Sequence, residues 1–482
     1  MLKNLLIVLC ALVVVAPAAR ATNLWQVWQL ATQNDPAFKE ALANRNASME
    51  ARPLAWSKLF PSIDLTNTGR TWDNSTRSSQ SVSPYGQGVV SYAQASNNRN
   101  DAWGAQLTQT LFNWQQFQAV QTSGYTVGKA RADYETALQG LIVSVSQAYF
   151  NVLQAEAILD ADLANQKALN RQFEQSQQQY KVGLIAITGV RQANAAYETA
   201  RAQVIVDRQA LAQAREALRA ITGRYLPHLE APEKALPLMP PRPSNVQSWV
   251  RTGFANNPSL ASAKLAQKVA QNLVDEQRAG YMPTLNLVLS RTYGNTEGNS
   301  SICQGAQCTP AQPDPSTNYD NQIGLQLSWN IFQGGGTRDA VKQQQYLADA
   351  SMASEIAERR SVEQNVRNAY LAVISGIAQV QATKQAVVSS KTSLEATIAG
   401  LKVGTETTID VLTSRENLLT AEKTYYNARY TYLVAVLQLE QAAGTLTPDA
   451  LKRLNALLAP HGVAAPGASS APYPATASVG AR

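Results

Sequence analysis

The sequence predicts an α+β membrane protein in which strands from several subunits build a barrel, long coiled-coil helices continue it, and the whole plan is present twice in the chain. Three observations carry this prediction. One stretch of text recurs at a near-constant offset, and apolar residues keep a seven-residue step through long proline-free segments. Short alternating segments end in aromatic residues, while nothing beyond the N-terminus approaches the ~18 apolar residues of a membrane helix.

The duplication is read most directly from YKVGLIAITGVRQANAAYETARAQVIVDRQALAQAREALRAITG at 180–223, which returns at 401–444 as LKVGTETTIDVLTSRENLLTAEKTYYNARYTYLVAVLQLEQAAG, an offset of 221 residues. Val190, Tyr197, Val204, Leu211 and Leu218 answer Val411, Leu418, Tyr425, Tyr432 and Leu439. Asn34-Asp35-Pro36 returns as Asn256-Asn257-Pro258, and Pro61 as Pro283. A period this long is a duplicated architecture rather than a solenoid unit.

The N-terminus fixes the compartment. Lys3, the apolar run Leu5–Val15 and Ala19-Arg20-Ala21 form a secretory signal over 1–21. Cys10 lies inside that run behind Leu9, so no acyl anchor is expected. Removing Lys3 and Arg20 lowers the net charge from +7 to +5, too mild to imply a nucleic-acid partner. With no apolar helix available, membrane insertion must use strands.

The first repeat spans 22–223. It opens with a short helix at Leu24–Gln33 and a helical segment from Pro36 to about Leu59, ended by Pro61. The hairpin 62–112 has a strand from Ile63 to about Thr71, a long polar loop to about Asn100, and an alternating strand over Ala102–Phe112. A helix from about Trp114 to Val182 carries the seven-residue row Val120, Val127, Tyr134, Leu141, Ala148, Ala155. After the tip 180–188 a second heptad helix runs to about Thr222. The linker 224–245, with Pro227, Pro232, Pro237, Pro240, Pro241 and Pro243, is too proline-dense for helix.

The second repeat, 246–444, has a short helix at Val246–Asn256, a helical segment to Tyr281, strands at Thr284–Tyr293 and Gln322–Phe332 in the hairpin 283–332, a long helix from about Arg338 to Leu401, the tip 401–408 and the last heptad helix. Residues 445–482 are a C-terminal segment and a disordered tail. Leu285, Leu287, Leu289 and Tyr293 share one strand face, as do Ile323, Leu325, Leu327, Trp329 and Ile331. Tyr281, Tyr293, Tyr319, Trp329, Phe332, Trp103, Phe112 and Trp114 cluster at the strand ends, where an aromatic girdle would lie. Four strands cannot close a barrel, and an open edge is not tolerated in lipid, so subunits must each contribute a sector.

The motifs YKVGLIAITGV and LKVGTETTIDVL, the strand starts PSIDL and PTLNL, IFQGG after the last strand, and KQAVVSS, ARYTYL and LRAITG together resemble the TolC family of outer-membrane channel proteins over about Thr22–Ala459. The resemblance implies a homotrimer with a 12-stranded outer-membrane β-barrel, four strands per chain, continued by a periplasmic α-helical barrel. It also implies the role of exit duct for drug efflux or type I secretion, opened by a periplasmic adaptor (membrane fusion) protein and an inner-membrane pump of the resistance-nodulation-division or ABC type. The turns Val182-Gly183-Leu184 and Val403-Gly404-Thr405 are then the adaptor docking tips.

The departures bear on the gate. The family's first hairpin usually carries Thr-Asp-Val where this chain has Thr188-Gly189-Val190, and a second tip carboxylate of the best-known member is replaced by Thr413. Its lock-forming tyrosine and arginine correspond to Leu401 and Glu406. Asp410 has two readings: a helix-capping carboxylate in Thr407-x-x-Asp410, or a ring of three carboxylates forming a cation-selective constriction, which the resemblance favours.

Cys303 and Cys308 share a polar loop in an oxidising compartment, where a disulfide is expected. His228 and His461 lie in the linker and the tail, so neither a metal site nor a His-based triad is expected, and no cofactor. A periplasmic or secreted coiled-coil scaffold would share the heptads but would not need strands with aromatic ends. A hydrolase would need a pocket that nothing in the sequence marks.

Overall fold

In chain order the first copy comprises α1 (Leu24–Asn34), α2 (Pro36–Met49), α3 (Ala51–Ser57), β1 (Ser62–Ser81), β2 (Val89–Phe112), α4 (Trp114–Lys181) and α5 (Ile187–Thr222). The second comprises α6 (Val246–Asn256), α7 (Pro258–Arg278), β3 (Thr284–Gln304), β4 (Gln307–Cys308), β5 (Gln312–Pro313), β6 (Ser316–Ser328), α8 (Gly336–Val403) and α9 (Thr408–Ala442), followed by α10 (Pro448–Ala456). The computed structural model describes residues 22–81, 89–231, 237–304, 307–313 and 315–456; the expected signal segment and the tail from 457 lie outside them. These residues divide into two units, one of 45–131 and 262–355 and one of the remainder.

In the second of these units each copy starts the same way. Asn23 and Asn245 cap α1 and α6 with their side chains. Pro36 and Pro258 then open α2 and α7, where a missing N–H costs nothing. Asp35 Oδ1 accepts from the Phe38 amide at 2.7 Å, and Asn257 Oδ1 from the Leu260 amide at 3.2 Å, so the residue ending one helix caps the next. The seven-residue rows are buried as seams: Val190, Val204, Leu211 and Leu218 on α5, and Val366, Val373, Val380 and Leu394 on α8.

Tyr149 and Phe150 of α4, Leu24 and Val27 of α1, Leu437 of α9 and Leu451 of α10 meet in one apolar core. The buried phenols serve the linker. Tyr149 Oη donates to the Glu230 carbonyl at 2.6 Å, while Tyr432 Oη accepts from the Met239 amide at 3.0 Å and lies 3.1 Å from the Met239 carbonyl. Burial pushes both phenols above the ordinary tyrosine range.

The duplication returns as a packing motif. Gly223 (φ 71°) ends α5 against Asn34, and Gly444 (φ 69°) follows α9 against Asn256 and Asn257. A Cβ on Gly223 would meet the Asn34 side chain at 3.2 Å, but one on Gly444 would lie 2.4 Å from the backbone C and O of Asn256. Asn257 Nδ2 also donates to the Ala442 carbonyl at 2.9 Å.

The other unit holds, beside helical segments, a sheet in which β1, β2, β3 and β6 pair antiparallel in that order, with β4 and β5 as short additions to β3. Its strands correct the expected boundaries. Most of the polar stretch expected as a long loop is paired ladder, because β1 and β2 run in register from Ser62↔Thr108 to Ser81↔Val89, while its residues 82–88 lie outside the described ones. Backbone amides make that ladder, and it needs no apolar alternation where both faces meet water. Likewise β3 continues past Tyr293 to Gln304, whereas β6 stops at Ser328, so Trp329, Ile331 and Phe332 follow the strand instead of belonging to it. The single helical segment expected from Pro36 to Leu59 is broken at Glu50, since Pro53 has no N–H to offer the Met49 carbonyl.

Gly444→Ala should lower the thermal unfolding midpoint markedly, because backbone overlap and positive φ together cost about 2–5 kcal/mol. Gly223→Ala should cost less, since a side chain can yield where a backbone cannot. Melting curves of both variants followed by circular dichroism check the order, and equal midpoints would refute it.

Candidate functional site

On one face of the sheet the register lines up whole rows. Ile63, Leu107, Leu289 and Ile323 lie side by side across the four main strands, with Leu285↔Leu327 and Leu287↔Leu325 below them. Above runs the aromatic row Trp103, Tyr293, Tyr319, with ring centroids 6.0 and 5.0 Å apart. At the other end Trp329 Nε1 donates to the Tyr281 carbonyl at 3.0 Å, Phe112 pairs with Leu285, and Phe112, Trp114 and Phe332 are exposed. The ten residue steps from Tyr319 to Trp329, just past the end of β6, span roughly 33 Å, or about 25 Å along the normal at a ~40° tilt, the height of an outer-membrane apolar band. The opposite face carries Thr66, Gly104, Gln106, Ser290, Thr292 and Gln322.

In the helical unit the two tips share one construction. Gly183 (φ 78°) and Gly404 (φ 82°) end α4 and α8, with Leu184 N donating to the Gln179 carbonyl at 2.8 Å and Thr405 N to the Gly400 carbonyl at 3.0 Å. Val182, Leu184 and Val403 are 70, 73 and 76% exposed, apolar side chains left without cover. Thr188 and Gly189 stand in the first turn of α5, and a Cβ on Gly189 would meet only Ile185 at an ordinary 3.5 Å. Thr405, Glu406 and Thr413 are exposed. Cys303 and Cys308 are joined by a disulfide.

Asp410 closes a capping box at the start of α9. Its carboxylate accepts from the Thr407 amide at 2.8 Å and from the Thr407 hydroxyl, and that hydroxyl accepts from the Asp410 amide at 3.3 Å. The hydroxyl and amide of Thr407 hold the carboxyl below its ordinary range, so it stays ionised at neutral pH. One turn further on, Arg415 Nε is buried without a hydrogen-bond partner among the described residues, and burial beside Arg171 lowers its proton affinity.

Sequence reasoning missed a second cluster. Asp162 of α4 and Asp207 of α5 are almost fully buried, and Lys423 of α9 reaches Asp162 at 2.6 Å. Gln203 Nε2 donates to Asp207 Oδ1 at 3.0 Å, while Asp207 Oδ2 has no partner unless the two carboxyls share a proton. Burial, followed by the facing Asp207, pushes the Asp162 carboxyl up to about 6 against the pull of Lys423. The available signal was positional: Asp162 continues the row Ala148, Ala155, and Asp207 the row Ala193, Ala200, so a carboxyl stands where each seam needs an apolar or small residue.

A strand sector with an apolar band between two aromatic rows, in a chain whose long helices keep heptad seams, defines a protomer of an outer-membrane channel. The comparisons with known proteins make this specific. The chain belongs to the outer membrane efflux protein family, whose model matches residues 27–224 and 249–445. It is 35% identical to the outer membrane protein TolC of Escherichia coli over 91% of this chain and 85% of that one, and 32% identical to TolC of Vibrio cholerae over 94% and 97%. It is 28% identical to the alkaline protease secretion protein AprF of Pseudomonas aeruginosa, over 89% of this chain and 85% of that one. In fold it resembles the CmeC outer membrane channel of Campylobacter jejuni, with a TM-score of 0.68 over 90% and 89% of the two chains at 18% identity. The protein is an outer-membrane duct of the efflux and type I secretion class that extends into the periplasm.

The carboxyl pair makes a pH prediction. A folded-state value near 6 for Asp162, above the ordinary 3.8, adds stability that is present below about pH 4 and lost as pH rises through about 6. Asp207→Asn removes the facing carboxyl, so its melting temperature should fall less than that of the wild type between pH 4.5 and 7.5. Parallel profiles for the two proteins would refute the shared proton.

Proposed function

We propose that three copies assemble into one duct, with 12 main strands closing the barrel and the α4–α5 and α8–α9 hairpins forming its periplasmic end. The open edges of β1 and β6 carry this reading, because neither has a further partner strand among the described residues and hydrocarbon supplies none. The repeats are bounded at 22–223 and 246–444, joined by 224–245. Transport is passive and no residue is assigned to catalysis. Energy comes from an inner-membrane pump of the resistance-nodulation-division or ABC type, engaged through a periplasmic adaptor that grips Val182-Gly183-Leu184 and Val403-Gly404-Thr405.

Asp410 is the gate residue in this reading. Its three copies form an acidic ring at the narrow end, kept ionised by Thr407, and Gly189 leaves the first hairpin without a counterpart. Thr188, Glu406 and Thr413 neighbour the ring but supply no family lock.

Two experiments test this. In planar-bilayer recordings the wild type should conduct with cation preference and be blocked by multivalent cations from the periplasmic side. Asp410→Asn, which keeps an acceptor for Thr407 without the charge, should lose most of both effects while remaining trimeric. Unchanged selectivity and block would reduce Asp410 to a helix cap. Gly404→Val places a β-branched residue at positive φ and strains the tip by about 1 kcal/mol or more. It should weaken adaptor crosslinking and efflux, and retention of both would refute the docking assignment.

A further inference from the structure

The apolar band holds one charge. Arg291 stands on the lipid side of β3, between the row of Leu289 and the row of Tyr293, flanked by Ala105 of β2 and Asn321 of β6. No acidic partner meets it among the described residues, and the nearest carboxylate outward on that face, Asp101, lies two rows away and is paired with Arg99 at 3.1 Å. Beside it, where Ala105 leaves the surface low, an open groove of about 370 Å³ runs between Ile63, Leu107, Leu289 and Ile323. A protein cannot cover this groove, because it sits inside the band that the barrel presents to lipid. The counter-charge for Arg291 must therefore come from the membrane.

The strands settle which leaflet. β3 enters from α7 at Thr284, and its far end carries the Cys303–Cys308 hairpin away from the helices, so Arg291 lies in the outer half of the band, one row inside the aromatic girdle. A side chain there reaches headgroup level by extending along the surface. A guanidinium at that level fits a phosphate with two parallel hydrogen bonds, and Asn321 adds an amide donor beside it. The outer leaflet of a Gram-negative outer membrane is built from a phosphorylated glycolipid with several acyl chains. The geometry points to a lipid site on each protomer in which Arg291 and Asn321 take a phosphate of lipid A and the Ala105 groove takes one of its acyl chains.

Native mass spectrometry of the purified trimer in neutral detergent tests this, with bis-phosphorylated lipid A, its dephosphorylated counterpart and phosphatidylglycerol added in turn. The wild type should retain bis-phosphorylated lipid A at least tenfold better than either of the other two, up to three molecules per trimer. Arg291→Gln should lose that preference, Arg291→Lys should keep part of it, and Ala105→Leu should weaken retention of lipid A while leaving the phosphate preference intact. The trimer peak in the same spectra reports assembly. If Arg291→Gln gives no trimer, the Arg291→Lys and Ala105→Leu variants decide. Equal retention of the phosphorylated and dephosphorylated forms by the wild type, an undiminished preference in Arg291→Gln, or phosphatidylglycerol binding as well as lipid A would each overturn the assignment.

Discussion

Backbone amides along the outer edges of β1 and β6 have no partner strand among the described residues, and a bilayer interior leaves an unpaired amide several kcal/mol out of balance. That single constraint orders much of the molecule. A sheet of four main strands that must enter lipid has to borrow its edges from other copies, which makes the fold of one chain inseparable from assembly. The apolar rows from Leu285 to Tyr293 have their counterpart in the polar face of Thr66, Gln106 and Gln322, since closing the sheet turns one face to lipid and the other to a wet interior.

The helices answer to a related constraint. α4 and α8 are each 68 residues long, roughly 100 Å at 1.5 Å per residue, and no globular core surrounds helices of that length. Their stability comes from narrow seams such as Val366, Val373 and Val380, tightened by small residues that let helices approach closely. The concentrated core around Tyr149, Phe150 and Leu437 gathers the ends of the short helices α1 and α10 into the same packing. Gly444 shows how tight that junction is, because the space a methyl group would need is already occupied by the backbone of Asn256.

Legibility in the sequence followed periodicity. The long helices, both tips and the duplication were readable because the heptad rows repeat and because Gly183 and Gly404 stand where only a residue tolerant of positive φ ends a helix this way. The strand lengths were not readable. Ser, Thr and Asn from Thr71 to Ser81 and from Val89 to Asn100 keep no apolar alternation, yet the ladder continues through them, since hydrogen bonding along the backbone does not depend on the side chains. Asp162 and Asp207 were hidden for the opposite reason: each occupies a correct heptad position, and one carboxyl in a seam reads as an interruption until its partner is seen across the helix pair. Arg291 is hidden in a similar way, a single charge in an otherwise apolar strand face.

The two buried phenols give the proline-rich connection a property its composition does not suggest. Tyr149, from the first copy, holds the strap at Glu230, and Tyr432, from the second, holds it at Met239. The connection is thus fastened by side chains from both halves of the duplicated chain, Arg215 and Tyr370 adding bonds to the Pro227 and Ser244 carbonyls. Sliding one copy against the other would break a buried phenol's hydrogen bond to the connection, so the segment that joins the halves also ties their alignment together.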